Sequence, residues 1–210
     1  MVHNPTYIRD KFIISVNGSN DMLIALKNSN LEKRYKEEFA EYSFLKVYIE
    51  WETFLEDSFF SYLLGRKAKS GYKMKCYVKP KDLDHAKKII ASKPTNKYES
   101  WNYIEVDKRA DLFFKENRYS MAFSNTKQWL EGMTKIRNHI AHRSEKTKNE
   151  FEQVVRDRLQ GGTVPRNITV GKFLLTEDPN SNTTIFKWYV DGLVNASKII
   201  IPEVDLSGNI

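Results

Sequence analysis

The chain has 210 residues, 40% hydrophobic and 13% aromatic, enough for the core of one domain with substantial appendages. No apolar run of about 18 residues could cross a membrane, and a single cysteine, Cys76, rules out an intramolecular disulfide framework. A charged fraction of 29% is ordinary for a globular protein, but the net charge of +7 is unevenly placed along the chain.

The N-terminal Met1-Val2-His3-Asn4-Pro5 lacks the charged-then-apolar layout of a signal peptide. With one cysteine, a cytoplasmic location is expected. Neither Gly nor Pro occurs from Leu31 to Leu64, and Gly65 closes the run as a helix terminator does. Phe44, Tyr48, Trp51, Leu55, Phe59 and Tyr62 recur at helical spacing, and Lys46, Glu50, Thr53, Asp57 and Ser61 lie opposite. The pattern predicts a long, central amphipathic helix. Glu52 and Glu56 fall off its polar face, beside Leu45, Ile49, Phe60 and Leu63. A buried carboxylate is costly unless paired, and Arg137 is the candidate partner for Glu52.

Seven cations follow with no acidic residue among them: Arg66, Lys67, Lys69, Lys73, Lys75, Lys79 and Lys81. The other 27 basic residues equal the 27 acidic ones, so this segment carries the whole excess. Tyr72 and Tyr77 are interleaved and offer stacking faces beside phosphate-binding charges. Alone, such a segment reads as a solvated basic loop. Cys76, between Lys75 and Tyr77, reads as a small packing residue rather than a reactive thiol. The segment alternates only loosely and predicts a hairpin or an irregular loop.

Pro80-Lys81-Asp82 starts a short helix through Ile90. Pro94 to Asn102 is turn-like, and Asp107 to Glu116 is helical. Phe123 to Ile140 forms another amphipathic helix, with Trp129, Met133, Ile136 and Ile140 on one face. A charged helix from Glu145 to Leu159 ends at Gly161-Gly162. Val164 to Thr169 is a loop, Val170 to Leu175 a short apolar element, and Asp178 to Asn182 a turn. A last helix runs from about Thr183 to Ile200. Strand signals are few, so the expected fold is mainly α, a bundle with insertions.

Chemistry concentrates in Arg137-Asn138-His139-Ile140-Ala141-His142, which holds half of the four histidines. Arginine matches phosphate oxygens with a permanently charged fork, and an unperturbed histidine, titrating near about 6.5, exchanges protons near neutrality. Five residues on a helix place Arg137 and His142 about 140° apart, whereas Asn138 and His142 share a face. The helix breaks near His142, the substrate lies across the helix end, or a second subunit completes the site. The sequence leaves all three open. His139 and His142 form an HxxH pair without a matched third ligand, so neither metal nor cofactor is expected. No Gly-x-Ser-x-Gly and no phosphate-binding Gly-rich loop occurs.

The Arg137 to His142 hexapeptide resembles the Arg-polar-x-x-x-His signature of the HEPN superfamily, small α-helical domains of prokaryotic toxin, abortive-infection and RNA-processing systems. Tyr48 to Glu56 resembles the acidic, aromatic-rich helix that faces the motif helix there. Gly171-Lys172-Phe173-Leu174 and the final apolar helix resemble the closing part of several bacterial members. The similarity covers about residues 20–200 of a single domain, 1–210, with about 66–105 as a basic insertion.

The resemblance implies an antiparallel four- to five-helix bundle, a homodimer, and a metal-independent endoribonuclease. Arg137 and His142 take the two signature positions, Asn138 the polar one, and Glu52 or Glu56 the facing carboxylate. The implied partners are RNA and, for a toxin or phage-defence effector, a nucleotidyltransferase-like antitoxin. Some members keep the fold without nuclease activity, so the alternative is a non-catalytic helical module that binds a protein or nucleic acid.

Overall fold

The computed structural model describes residues 2–91, 99–124, 126–159 and 167–203. Among them are nine helices and no strand. They are α1 (Pro5–Lys27), α2 (Lys33–Leu63), α3 (Leu83–Ile90), α4 (Tyr103–Phe113), α5 (Arg118–Ser124), α6 (Lys127–His142), α7 (Glu145–Arg158), α8 (Val170–Leu175) and α9 (Ile185–Ile200). The fold is mainly α, as the periodicity predicts. None of the described helices is long and apolar enough to cross a membrane.

The chain divides into two compact units. The first takes Met1–Ile13, Trp51–Thr126 and Val194–Ile210, and the second takes Ile14–Glu50 and Lys127–Leu193. Aromatic side chains build the first unit's core. Phe59 is fully buried, with the rings of Phe114 at 4.9 Å, Trp101 at 5.6 Å and Tyr119 at 5.9 Å. Burying one such side chain contributes about 1.5–3 kcal/mol. The buried Tyr119 hydroxyl is satisfied by Ser58 Oγ at 3.0 Å. Ser61, expected on the polar face of α2, is fully buried and donates to the His3 carbonyl at 2.8 Å. Its hydroxyl is small enough to be satisfied by one backbone acceptor, so a polar residue can sit inside. Ile49, expected beside the inward carboxylates, is instead 61% exposed.

The elements depart from the predictions most at three places. The first is α1, which is not among the predicted helices; Asn17-Gly18-Ser19-Asn20 lowers its local helix propensity. The Asn4 side chain accepts from the Tyr7 amide at its start, and Ile8, Phe12, Val16 and Leu23 are buried. Packing of an apolar stripe overrides local propensity there. The second is the helix predicted from Phe123 to Ile140. Phe123 belongs to α5, and α6 starts afresh at Lys127 and continues to His142. The third is α4, which runs Tyr103–Phe113 rather than Asp107 to Glu116; Asn102 caps its start by accepting from the Glu105 amide. The Gly161-Gly162 terminator, residues 164–166 of the expected loop, and most of the Pro94 to Asn102 turn lie outside the described residues.

In the second unit α6 packs on α7 and buries Leu130, Gly132, Met133 and Ile136. Phe44 of α2 meets Tyr189 of α9 edge-on at 5.5 Å. The turn predicted at Asp178 is anchored inward. Its carboxylate is fully buried and pairs with Arg158 at 2.5 Å, while Arg158 lies over the Trp188 ring at 3.6 Å. At Gly171 in α8, a Cβ would stand 2.1 Å from the Glu37 carbonyl oxygen, so only glycine allows α8 this close to α2.

Candidate functional site

Helix α6 carries the whole hexapeptide in its last two turns without interruption. The chain turns one residue later, where Arg143 adopts a φ of +46° and its amide still bonds to the His139 carbonyl at 3.0 Å. This is a left-handed helix stop without the glycine that makes it easy, at a cost of about 1–2 kcal/mol. Ser144 then caps α7 by accepting from the Thr147 amide. Two residues therefore separate the motif from the next helix. Arg137 and His142 stay on one continuous helix, about 140° apart.

That gap is narrowed by Asn138. Arg137 Nη1 donates to Asn138 Oδ1 at 3.0 Å, and the guanidinium lies over the Tyr48 ring at 5.5 Å. Tyr48 is held in turn by a hydroxyl contact to Thr134 Oγ1 at 3.3 Å. The half-buried arginine is therefore clamped between an aromatic face and an amide. Asn138 lies four residues before His142, on its face of the helix. The His142 ring is exposed at the helix end. A fixed cation thus stands one side chain away from the row that carries an accessible imidazole.

His139 has a different role. Its Nδ1 is 3.2 Å from Thr147 Oγ1 and its ring stacks on buried Phe151, with centroids 5.3 Å apart and planes inclined by 15°. Burial pushes its pKa below the usual histidine value, with the charges of Arg143 and Lys148 acting in the same direction. It is a packing residue that ties α6 to α7. Among the described residues no group of three or more His, Cys, Asp or Glu is placed to hold a metal ion.

Two carboxylates reach this region that the sequence reading passed over. Glu41 of α2 pairs with Arg143 at 3.4 Å and accepts from the Gly171 amide at 3.2 Å. Burial raises its pKa, against the lowering effects of the Gly171 amide and Arg143. One turn earlier, Glu37 accepts from Thr169 Oγ1 at 2.6 Å. The signal was present. Extending the Phe44, Tyr48, Trp51 stripe backwards by three and seven residues lands on Glu41 and Glu37. Like Glu52, both lie off the polar face of α2, where a carboxylate needs a partner.

Glu52 and Glu56 are half-buried on the stretch of α2 that belongs to the first unit. Burial raises the pKa of Glu56, and neighbouring Asp57 adds to the rise. The seven cations also belong to the first unit. Arg66, Lys67, Lys69, Lys73, Lys75, Lys79 and Lys81 are all exposed. Tyr77 is 61% exposed, but Tyr72 is buried and sits under the Arg118 guanidinium at 4.4 Å, so it offers no stacking face. Cys76 is half-buried, donates to the Tyr62 carbonyl at 3.4 Å, and has its pKa raised by burial, which fits a packing residue.

Comparison with family models, with curated proteins and with solved structures finds no match for the chain.

Proposed function

We propose that the chain is a metal-independent endoribonuclease of HEPN type, acting in the cytoplasm as a toxin or phage-defence effector. The observation that carries the proposal is the clamped Arg137 bonded to Asn138, which itself shares the face of α6 that ends at the accessible His142. The ribose 2′-OH attacks the adjacent phosphorus as the bond to the 5′ oxygen breaks. The products are a 2′,3′-cyclic phosphate and a 5′-OH. One proton leaves the 2′-OH and one joins the 5′ oxygen; His142 acts as base or acid in these transfers. Arg137 stabilises the charge growing on the non-bridging oxygens. In a homodimer each copy supplies one imidazole, and the Arg66 to Lys81 segment holds the RNA backbone. A nucleotidyltransferase-like antitoxin is the proposed regulator.

The test uses purified protein, single-stranded RNA and EDTA. Cleavage is expected to persist with chelator, to fall about 10²–10⁴-fold in His142→Ala, and to stop on a substrate with deoxyribose at the scissile position. Arg137→Ala should lose comparable activity, and Glu52→Gln less. Cleavage that survives in both alanine variants, or needs the metal, overturns the proposal.

One observation favours a second reading, a non-catalytic helical module. Arg137 spends its charge on Tyr48 and Asn138, as a purely structural arginine would. That reading expects no cleavage by the wild-type protein, with the effect of Arg137→Ala confined to stability or dimerisation.

A further inference from the structure

The segment after α2 alternates in burial with a period of two. Tyr72 and Met74 are buried and Cys76 and Val78 half-buried, while Lys73, Lys75, Tyr77 and Lys79 are exposed. This is the pattern of an extended chain with one face on the protein. Two backbone bonds secure it to the end of α4: Tyr77 N–H donates to the Phe113 carbonyl at 2.9 Å and Lys115 N–H to the Lys75 carbonyl at 2.8 Å. The outward face reads Lys, Lys, Tyr, Lys at intervals of two residues, about 6.6 Å apart where the chain is extended, with a bend at Tyr77. A cleft of about 940 Å³ runs beside it, lined by Lys67, Lys73, Lys75, Lys79 and Lys115, with Glu116 as its one acidic group. Lys75 meets Glu116 at 3.2 Å, both exposed, and Lys115 Nζ lies 5.8 Å from the Tyr77 ring centre. An exposed pair of this kind is easily exchanged for a phosphate.

We propose that this edge is a track for one single strand of nucleic acid, with successive phosphates on Lys73, Lys75, Lys79 and Lys115 and one base stacked on Tyr77. A single row of cations follows one backbone, whereas a duplex presents two backbones and hides the base faces that Tyr77 would meet. The choice of RNA as the strand rests on the proposed function, and the form of the ligand does not.

Fluorescence anisotropy with a 2′-O-methyl RNA oligonucleotide separates the two, because that strand binds but cannot be attacked at its 2′ oxygen. The wild-type protein should bind the single strand more tightly than the same sequence as a duplex or than polyglutamate. Replacing Lys73, Lys75 and Lys79 together by Gln should reduce the slope of log affinity against log salt by about 2, near 0.7 per lysine. Replacing Lys11, Lys27 and Lys88, exposed but elsewhere, should leave the slope unchanged. Tyr77→Ala should weaken binding about 5- to 150-fold, and Tyr77→Trp should restore it. Equal affinity for the duplex or polyglutamate, an equal effect of the control lysines, or indifference to Tyr77 each overturns the track. Binding as described without cleavage of ordinary RNA overturns only the nuclease reading. Cleavage with none of these binding effects overturns only the track.

Discussion

The end of α6 and the lysine edge are both polar, yet they are built oppositely. At the end of α6 several polar groups are held by named partners: Arg137 by Asn138 and Tyr48, His139 by Thr147, Glu41 by Arg143 and the Gly171 amide. Along Lys73 to Lys79 the cations stand exposed on one side of an extended segment. Held groups are oriented at a cost already met by the fold, as a reaction needs. Exposed lysines keep their freedom and suit a ligand recognised by charge and spacing. Changes at the first region should therefore disturb stability, and changes at the second only binding.

The severest test of that contrast is Gly171→Ala. The new Cβ would meet the carbonyl oxygen, carbonyl carbon and Cα of Glu37 at 2.1, 2.5 and 2.6 Å, all backbone atoms that no rotamer change can move. A loss of about 3 kcal/mol in urea unfolding is expected. Unchanged stability would mean that α8 is not clamped to α2. Next in size is Arg137→Ala, which removes a cation–π contact and a hydrogen bond and should cost about 1–2 kcal/mol. His142→Ala, at an exposed ring, should stay within about 0.5 kcal/mol in the same measurement. Similar losses in both would erase the distinction between the residue that is held and the one left free to react.

The sequence made the second unit's helices readable, because α6, α7 and α9 follow their apolar period and Ser144 supplies a cap. It left α1 harder to read, because Asn17 to Asn20 lowers the local helix propensity and is overruled by packing. The site was half legible. Arg137, Asn138 and His142 declare themselves as a cluster of unusual residue types. Glu41, Arg143 and Thr147 are ordinary residues whose meaning comes from contacts across 130, 102 and 8 positions. The alternation of Tyr72 to Val78 was visible but looked loose, because Cys76 and Val78 are only half-buried and Tyr72 reads as easily outward as inward.

Acid separates two of the held groups, because their pKa values are displaced in opposite directions. The folded pKa of His139 lies below 6.5, so the unfolded chain takes up its proton first. Stability is then lost as pH falls from about 6.5 to the depressed value. Glu41 has a folded pKa above 4.5, so the folded chain takes up its proton first, and stability is gained between the raised value and 4.5. Melting temperatures across pH 7.5 to 4 should lose the upper decline in His139→Phe and show a smaller lower gain in Glu41→Gln, since burial also raises Glu56 and Asp57. Retention of both features at full size in the variants would assign them to other groups.

The smallest effect is expected where the charges are densest. Lys73, Lys75 and Lys79 make one described ion pair among them, Lys75 with Glu116, whose partners are 72% and 53% exposed. Such a pair contributes little to folding, and three neighbouring like charges repel weakly. Replacing all three by Gln should leave the unfolding free energy within about 0.5 kcal/mol of the wild type. A substantial loss would mean that the aliphatic stems of the lysines cover Leu63, Leu64 or Met74 in the cleft and act in packing. A small gain would fit relief of repulsion between charges kept close for a ligand, and it should disappear as salt is added.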